Sequence, residues 1–296
     1  MNVATTLAGL CIALVGGDLR VEHCLQGLIS QGARLYGVGL EKLPPTLDMV
    51  HCSLERAVHE CHALVLPMQG CDEDGSVKSS FCNEPLSLVG EYQARGLLVL
   101  TGVAGPTLRL LAADYGWNLV EIGEDDELAY LNAVPTAEGA VRLAQELAQK
   151  TIHHSKALVI GFGRCGTILA HLLRNMGAET YVYARQNGDL ARAIALGFIK
   201  VSQVELVETF SRMDLVFNTV PAVIVGRELL LVSQPKVIVI DIASRPGGVD
   251  YSVAKELKRV AVLAPGLPGK CVPETAGRIL GAVLPRLIVE NMAKER

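Results

Sequence analysis

Short apolar runs alternate with segments of helical periodicity along the whole chain. In the first part, apolar runs lie at residues 10–17, 34–40, 63–68 and 97–102. Apolar residues recur at helical spacing at residues 20–32, 53–62, 84–95 and 106–115. Strands followed by helices in this way are typical of a parallel sheet that is covered by helices on both faces. The polar segment 71–85 is expected as a surface loop at the carboxyl end of a strand, where such folds place binding groups.

A second series of the same kind begins at Lys156. Its five apolar runs are "KALVIGFG", "AETYVYAR", "LVFNTVP", "KVIVIDIA" and "VAVLAPG". Residues 127–150 have helical spacing, and Pro135 interrupts them, so we expect a fresh helix start after this proline. The amphipathic segment 274–295 is expected to be a helix that packs back on one of the two parts.

The pattern predicts an α/β protein with two doubly wound parallel-sheet domains, the second of them a Rossmann dinucleotide-binding domain, joined by a connecting helix. We place the N-terminal domain at residues 1–126, the connecting helix at 127–150, the Rossmann domain at 151–273 and the C-terminal helix at 274–296. A chain of 296 residues is long enough for two separate cores. Two α/β domains joined by helices also predict a cleft between them.

Composition excludes several classes of function. The chain is 50% hydrophobic and 20% charged, with a net charge of −4 and no basic run, which argues against nucleic acid as a partner. No apolar run is long enough to span a bilayer. The apolar run near the N-terminus has no basic segment ahead of it and reads as a buried strand, so we reject a signal peptide and expect a cytoplasmic protein.

A cluster of histidines and cysteines in "HCSLERAVHECH" is a conceivable zinc site. The spacing matches no ordinary zinc finger, and one helix over residues 51–62 would place these side chains on several faces. We therefore predict no metal. The eight cysteines contain no C-x-x-C pair and are expected to be reduced thiols that pack as small apolar residues.

A G-x-G-x-x-G motif lies between an apolar run and an amphipathic segment, which is the context that a dinucleotide site requires. Gly161 allows the tight turn, Gly163 lets a pyrophosphate approach the backbone, and Gly166 permits close contact between helix and strand. With Arg164 and Cys165, these glycines begin a helix whose amino terminus favours negative charge.

The strand that follows the motif, the second of this series, ends without the acidic residue that binds the ribose hydroxyls of NAD. Ala184 and Arg185 stand there instead, and an arginine pairs well with the 2′-phosphate of NADP, so the sequence predicts NADP. Farther along, Asn218, Thr219 and Val220 lie at the end of the strand "LVFNTVP", near the expected nicotinamide ribose. Asn218 and Thr219 are candidates for polar contacts there, or for a strand-end cap.

Two loops rich in glycine and proline follow the last strands, at 241–251 and 264–277. They carry Arg245 and Lys270, and a pair of cations suggests a substrate that bears carboxylates. The alternative is that both are ordinary solvated charges. No histidine follows His171, which disfavours an alcohol oxidation that uses a histidine acid–base from a late loop.

Six motifs together resemble one known family. They are "GGDLR" (16–20), "NAVPTAEGA" (132–140), "GFGRCG" (161–166), "VYAR" (182–185), "DIASRPGGVDY" (241–251) and "PGLPGKCVPETAG" (265–277). The chain resembles the A-subunit family of dipicolinate synthases from spore-forming bacteria over nearly its whole length. Cys271 departs from the family pattern, in which an aliphatic residue is commoner at this place.

The resemblance implies an NADP-linked enzyme that makes dipicolinic acid from a dihydrodipicolinate-level intermediate of lysine biosynthesis. It also implies a partner, the smaller, flavodoxin-like B subunit, and expression in the mother cell during sporulation. Self-association into a homo-oligomer stays open. For the substrate carboxylates we select Arg245, Lys270 and Arg20, while no catalytic residue is assigned.

Several alternatives remain open on sequence. Asp18 and Arg20 are equally suited to cap the helix 20–32, and Thr136 with Glu138 to cap a helix start. The protein is also compatible with a D-2-hydroxyacid or shikimate-type dehydrogenase, or with a regulatory protein that senses NADP without turning over substrate.

Overall fold

Two α/β units make up the chain in a computed structural model that describes residues 6–44, 48–82, 86–90, 92 and 95–293. The first unit combines Met1–Ala129 with Val272–Arg296, and the second comprises Tyr130–Cys271. Each unit contains its own six-stranded sheet, and all strand pairs of both sheets are parallel.

The described residues of the first unit form eight strands and the first three helices. The strands are β1 (Cys11–Val15), β2 (Arg34–Val38), β3 (Val50–His51), β4 (Ala63–Val65), β5 (Ser76–Val77), β6 (Leu86–Ser87), β7 (Leu98–Thr101) and β8 (Asn118–Glu121). The helices are α1 (Arg20–Ser30), α2 (Leu54–Glu60) and α3 (Pro106–Tyr115), followed by a 3₁₀ turn at Ile122–Glu124. The sheet order is β3-β2-β1-β4-β7-β8, while β5 and β6 form a separate antiparallel pair.

Helix α4 (Asp126–Ala148) runs without a break through Pro135, so the expected fresh helix start is wrong. Proline removes one backbone donor from the helix interior. The Thr136 hydroxyl donates to the carbonyl of Asn132 at 2.7 Å, one turn earlier, instead of capping a new helix. Ala140 and Ala144 are buried in the core of the second unit, so packing holds the helix together at this point.

The second unit repeats the strand order of the first. Its strands are β9 (Lys156–Ile160), β10 (Glu179–Tyr183), β11 (Ile199–Val201), β12 (Leu215–Asn218), β13 (Ile238–Asp241) and β14 (Val260–Leu263), in the order β11-β10-β9-β12-β13-β14. Its other helices are α5 (Arg164–Asn175), α6 (Asn187–Ala195), α7 (Leu206–Phe210), α8 (Arg227–Val232), α9 (Tyr251–Glu256) and α10 (Leu267–Cys271). The last helix, α11 (Pro273–Ala293), belongs to the first unit.

Each sheet lies between two apolar layers, which explains why its central strands read as continuous apolar runs. On β1, Ile12 and Leu14 face one core while Ala13 and Val15 face the other. The side chains of β9 alternate in the same way between the two cores of the second unit. The predicted fold class, two doubly wound parallel-sheet domains, is confirmed.

One predicted helix is wrong. Within residues 84–95, the described residues contain the short strand β6, whose Leu86 pairs with Val77 of β5, and no helix. Asn83, Glu84, Pro85, Glu91, Gln93 and Ala94 lie outside the described residues. The sequence also did not predict the short strands β3, β8 and β11.

The histidine–cysteine cluster does not form one helix, because His51 belongs to β3 and α2 begins at Leu54. His62 accepts a hydrogen bond from the backbone N–H of Cys11 at 3.0 Å through Nδ1. Among the described residues, no three His, Cys, Asp or Glu side chains are grouped as a metal site would need. Nor does any helix in the described part of the chain combine the length and apolar character needed to cross a membrane.

Candidate functional site

The glycine motif forms the turn from β9 into α5. Gly161 adopts a φ of 94°, and a Cβ there would lie 2.3 Å from Thr219 Oγ1. A Cβ on Gly166 would lie 2.1 Å from the carbonyl oxygen of Gly161. Both positions therefore require glycine for close packing between the turn, the helix and the end of β12. Gly163 differs, because a Cβ there would meet no atom within 4 Å.

A groove of about 480 Å³ opens at this turn, where the strand order reverses between β9 and β12. In doubly wound folds, ligands bind in the crevice at this switch point. Thirteen residues line it: Gly161, Phe162, Gly163, Tyr183, Ala184, Arg185, Gln186, Asp189, Thr219, Val220, Pro221, Ala222 and Ile224.

The residues of this groove fit a dinucleotide. The open space beside Gly163 is the place where a pyrophosphate would approach the backbone. Helix α5 begins at Arg164 with no side chain capping its first turn, and backbone amides in the first turn of a helix bind phosphate groups. These features allow the groove to hold the phosphates of a dinucleotide against the helix end.

The far end of the groove lies beside β10, where Arg185 is exposed and lines the wall. Ala184 beside it is buried, so no acidic side chain from the end of β10 enters the groove. Arg185 also borders a neighbouring depression together with Asn187, Ser202 and Gln203. The wall where a ribose would lie is therefore polar and carries a cation.

At the opposite wall, Thr219 donates its hydroxyl to the carbonyl of Ile160 at 3.0 Å, which ties β12 to the start of the glycine turn. Asn218 is fully buried. Its Nδ2 donates to Val220 O and to Asp241 Oδ1, both at 2.9 Å, and its Oδ1 accepts from Val220 N at 3.2 Å. Of the two roles considered for Asn218, the strand-end cap is the one that this geometry supports.

Asp241, at the end of β13, is completely buried and accepts four hydrogen bonds. Besides Asn218, the donors are the backbone N–H groups of Ala243 at 3.1 Å and Gly248 at 2.7 Å, and the Tyr251 hydroxyl at 2.7 Å. Burial and the neighbouring carboxylate raise the pKa of Tyr251, so this hydroxyl stays a donor. The network fixes both ends of the loop that carries Arg245.

Arg245 and Lys270 leave neighbouring strands at the same edge of the sheet. Arg245 follows β13 and Lys270 lies in α10 after β14, and these two strands pair with Asp241 opposite Leu263. Both side chains are exposed. Among the described residues, neither makes a side-chain hydrogen bond or ion pair. The sheet topology thus brings these two predicted residues to one edge of the second unit.

Arg20 belongs to the first unit and is already paired. Its Nε and Nη2 donate to Asp18 Oδ1 and Oδ2, each at 2.8 Å, and Asp18 Oδ1 also accepts from the Arg20 backbone N–H at 3.1 Å. The Arg20 side chain is 15% exposed and lines a small pocket beside Gly16 and Met68. Leu19, and not Asp18, is the N-cap of α1, and no side chain makes a cap hydrogen bond there, so the pair braces the residues just before the helix and does not cap it.

Sequence comparison assigns the family. Over 294 residues the chain is 35% identical to the A subunit of dipicolinate synthase from Bacillus subtilis (strain 168), an alignment that covers 98% of this chain and 99% of that protein. The chain belongs to the A-subunit family of dipicolinate synthases. Residues 11–123 match the family model of the N-terminal domain of this A subunit.

Solved structures of the dipicolinate synthase A family have the same fold. The B. subtilis A chain superposes with a TM-score of 0.90 at 34% identity, covering 98% of this chain and 99% of that one. The A subunit from Bacillus halodurans also gives a TM-score of 0.90, at 31% identity and with 96% and 99% coverage. Residues 131–253 match the model of the D-isomer specific 2-hydroxyacid dehydrogenase NAD binding domain. The second unit is therefore a nicotinamide-dinucleotide-binding domain of a dehydrogenase.

The predicted cofactor residues fall into three groups in the structure. Gly161, Gly163, Ala184, Arg185, Thr219 and Val220 line the groove; Arg164, Cys165 and Gly166 form the first turn of α5; and Asn218 is buried behind the groove. Burial raises the pKa of the Cys165 thiol. Sequence reasoning missed that Phe162 and Asp189 also line the groove. The sequence did contain a signal for them, because Phe162 lies inside the glycine motif and Asp189 follows Arg185 by four residues.

Proposed function

We propose that this chain is the NADP-linked oxidoreductase subunit of a dipicolinate synthase, and that it oxidises a dihydrodipicolinate-level intermediate of lysine biosynthesis to dipicolinic acid. The observation that carries the choice of cofactor is Arg185 in the groove wall, next to a buried alanine in the place of the usual acid. A guanidinium binds a phosphate through parallel hydrogen bonds, whereas a carboxylate there would repel it.

The substrate is proposed to be a flat dicarboxylate held by cations. Arg245 follows β13 and Lys270 follows β14, at the carboxyl edge of the sheet, and Arg20 is retained as a third candidate. Arg20 would have to share its guanidinium between the substrate and Asp18. Arg245 is better suited to a carboxylate, because its side chain makes no other hydrogen bond among the described residues.

A nicotinamide cofactor supplies hydride-acceptor chemistry at such a site. Such an acceptor would take one hydride from the dihydropyridine-like ring, which would also give up one proton and so become aromatic. Aromatisation supplies driving force, so a dedicated histidine base is not needed, which agrees with the absence of any histidine after His171. Water, a carboxylate or the substrate itself is proposed to accept the proton.

The family name implies that the enzyme has another component, and we propose that the B subunit of dipicolinate synthase assembles with this chain. Location in the mother-cell cytoplasm of a sporulating bacterium and the existence of a homo-oligomer remain predictions that rest on the resemblance.

The direct test is reduced-cofactor absorbance with the purified chain, alone and with the B subunit. A freshly generated dihydrodipicolinate-level substrate is supplied, and NADP and NAD are compared in parallel. We expect reduced cofactor and dipicolinate to appear together, with NADP preferred. If NADP binds but no dicarboxylate is turned over even with the partner present, the chain is a sensor rather than an enzyme.

Arg245→Ala tests the carboxylate site. We expect the substrate KM to rise by about tenfold or more, because a charge-assisted pair is lost, while the Kd for NADP stays within about twofold of wild type. Arg212→Ala is the matched control, since Arg212 is an exposed arginine of the same unit that pairs with Glu208. Unchanged kinetics in Arg245→Ala would remove this residue from the site.

A second candidate function follows from the family model of residues 131–253, whose name includes D-2-hydroxyacid dehydrogenases. The missing late histidine argues against it. The same assay, supplied with D-2-hydroxyacids and with shikimate, decides the question: turnover of either without formation of dipicolinate would replace our proposal.

A further inference from the structure

An acidic side chain lines the groove where the proposed function places a phosphate. Asp189 lies in the first turn of α6 and belongs to the same groove wall as Arg185 and Gln186. Its side chain is 36% exposed. An uncompensated carboxylate at this place would repel the 2′-phosphate of NADP, whereas NAD, which lacks that phosphate, would be affected much less.

Arg192 compensates Asp189 from one turn farther along α6. Its Nη2 donates to Asp189 Oδ1 at 3.1 Å. With Arg185, the three charged side chains at this end of the groove then carry one net positive charge. An exposed ion pair of this kind contributes little to folding by itself.

Arg192 also reaches across to the glycine turn, thirty residues earlier in the chain. The same Nη2 donates to the carbonyl oxygen of Phe162, and the guanidinium lies over the Phe162 ring with Cζ 4.9 Å from the ring centroid. Phe162 stands between Gly161 and Gly163, and its ring is buried. The arginine therefore connects the ribose end of the groove with the turn that would hold the pyrophosphate.

We propose that Arg192 is a positioning residue that makes the site selective for NADP: it neutralises Asp189, and its contacts with the carbonyl and the ring of Phe162 hold the guanidinium in place for this role. This inference rests on the proposed NADP site. Arg192 is assigned no contact with the cofactor, and it acts through Asp189 and Phe162. Its loss should therefore weaken the binding of NADP more than that of NAD.

The test measures the Kd of NADP and NAD by calorimetry on the full chain, without substrate. For Arg192→Met we expect the NADP Kd to rise by about tenfold or more and the NAD Kd by less than about threefold. Asp189→Asn combined with Arg192→Met should bring the NADP Kd back to within about threefold of wild type, because no uncompensated carboxylate remains. Arg192→Lys, which keeps the charge, should retain the preference for NADP.

Arg174→Met is the matched control. Arg174 also lies over an aromatic ring of this unit, with Cζ 4.6 Å from the centroid of Phe198, but its hydrogen-bond partners are Leu196 and His171, which do not line the groove. We expect its ratio of NADP to NAD affinity to equal that of wild type. If the ratio of NADP to NAD affinity changed as much in Arg174→Met as in Arg192→Met, the loss of selectivity would be a general result of destabilising the unit.

The outcomes separate this inference from the proposed function. If the wild-type chain binds NAD better than NADP, the proposed cofactor is wrong. If wild type prefers NADP but Arg192→Met weakens both cofactors equally, and the double variant does not recover, the selectivity role is wrong. If Asp189→Asn alone weakens NAD more than NADP, Asp189 contacts the ribose hydroxyls, and our account of this acid is overturned.

Discussion

The buried carboxylate of Asp241 accepts four hydrogen bonds in the second unit. It has no solvent-exposed surface, yet two backbone amides and two side chains surround it with donors. A buried charge is tolerated only when it is hydrogen-bonded in this way. Since one donor is Asn218 and another is the backbone of Gly248, the carboxylate connects the groove wall to the loop of Arg245.

Tyr251→Phe removes one of these donors without changing the size of the ring. We expect the free energy of unfolding to fall by about 1.5–3 kcal/mol, the usual value of a hydrogen bond to a charged group. The substrate KM should rise, because the loop that carries Arg245 loses a hydrogen bond that holds it in place, while NADP affinity is retained. Denaturant unfolding and steady-state kinetics provide the measurements.

Tyr181→Phe is the control for that change, because the Tyr181 hydroxyl donates to Glu179 Oε1 in an exposed pair. Its expected cost is below about 1 kcal/mol. Equal losses of stability in the two variants would contradict the role that we assign to the buried carboxylate.

His171 gives the second unit a pH-dependent stability. Burial, together with the Arg174 guanidinium beside it, holds the pKa of this imidazole below its usual value of 6.5. The unfolded chain then binds the proton more readily than the folded chain, so stability is lost as the pH falls below about 6.5. We expect His171→Gln, which keeps an acceptor for Arg174, to lose less stability than wild type between about pH 8 and pH 5. Identical pH profiles from urea unfolding would contradict this.

At the scale of elements, α11 reaches the first unit through its contact with α1. The two helices meet backbone to backbone at Gly27, Gly277 and Gly281. A Cβ on Gly277 would lie 2.3 Å from the carbonyl oxygen of Arg20, and a Cβ on Gly27 would lie 2.2 Å from that of Gly281. Farther along α11, Leu284, Leu287 and Ile288 enter the core of the first unit. The last helix is thus an integral part of that unit.

Gly277→Ala should force these helices apart. Alanine gains about 1 kcal/mol in helix propensity over glycine, but overpacking of this kind costs about 1–3 kcal/mol or more, so we expect a net loss of stability. Gly188→Ala in α6 is the matched control, because its Cβ would meet nothing within 4 Å. That change should stabilise by about 0.5–1 kcal/mol. Thermal unfolding measures both, and a stabilised Gly277→Ala would show that the contact is looser than described.

The elements that sequence predicted best were those with long, strongly periodic signals. Strand β9, the glycine turn and α5 follow directly from the apolar pattern and the motif. Strands β3 and β11 have two and three residues, too short for a periodic signal to separate them from loops. The predicted helix start after Pro135 was wrong because the alanines that follow it pack into the core of the second unit, and this packing outweighs the missing backbone donor. The sequence does not show that packing.

At the scale of the whole molecule, the two units share the same strand order. They differ in the turn after their first strand, where a ligand would bind in a fold of this kind. In the second unit the turn after β9 is open beside Gly163. In the first, the N–H of Gly17 donates to Lys78 O at 2.9 Å, and the N–H of Arg20 donates to Asp18. Two backbone donors at this turn of the first unit are thus already used, whereas the second unit matches a dinucleotide-binding domain.

Hydrogen exchange with and without NADP tests this difference. At about one hundred times its Kd, the cofactor should stabilise the state that binds it by about 2.7 kcal/mol. We expect slower exchange at residues 161–166 and 184–186, and no direct effect at the Gly16–Gly17 turn. Protection centred on that first turn would mean that NADP binds to the other unit.

The sequence by itself determined the class of fold, the glycine turn, the cation at the end of β10 and the two loops that carry Arg245 and Lys270. These are local features, because apolar periodicity and turn chemistry act over a few neighbouring residues. The tertiary structure decided which side chains reach the groove. It buried Asn218 against Asp241 and brought Arg192 to Phe162. Such contacts depend on where strands and helices meet in space, and residues thirty positions apart carry no local mark of their meeting.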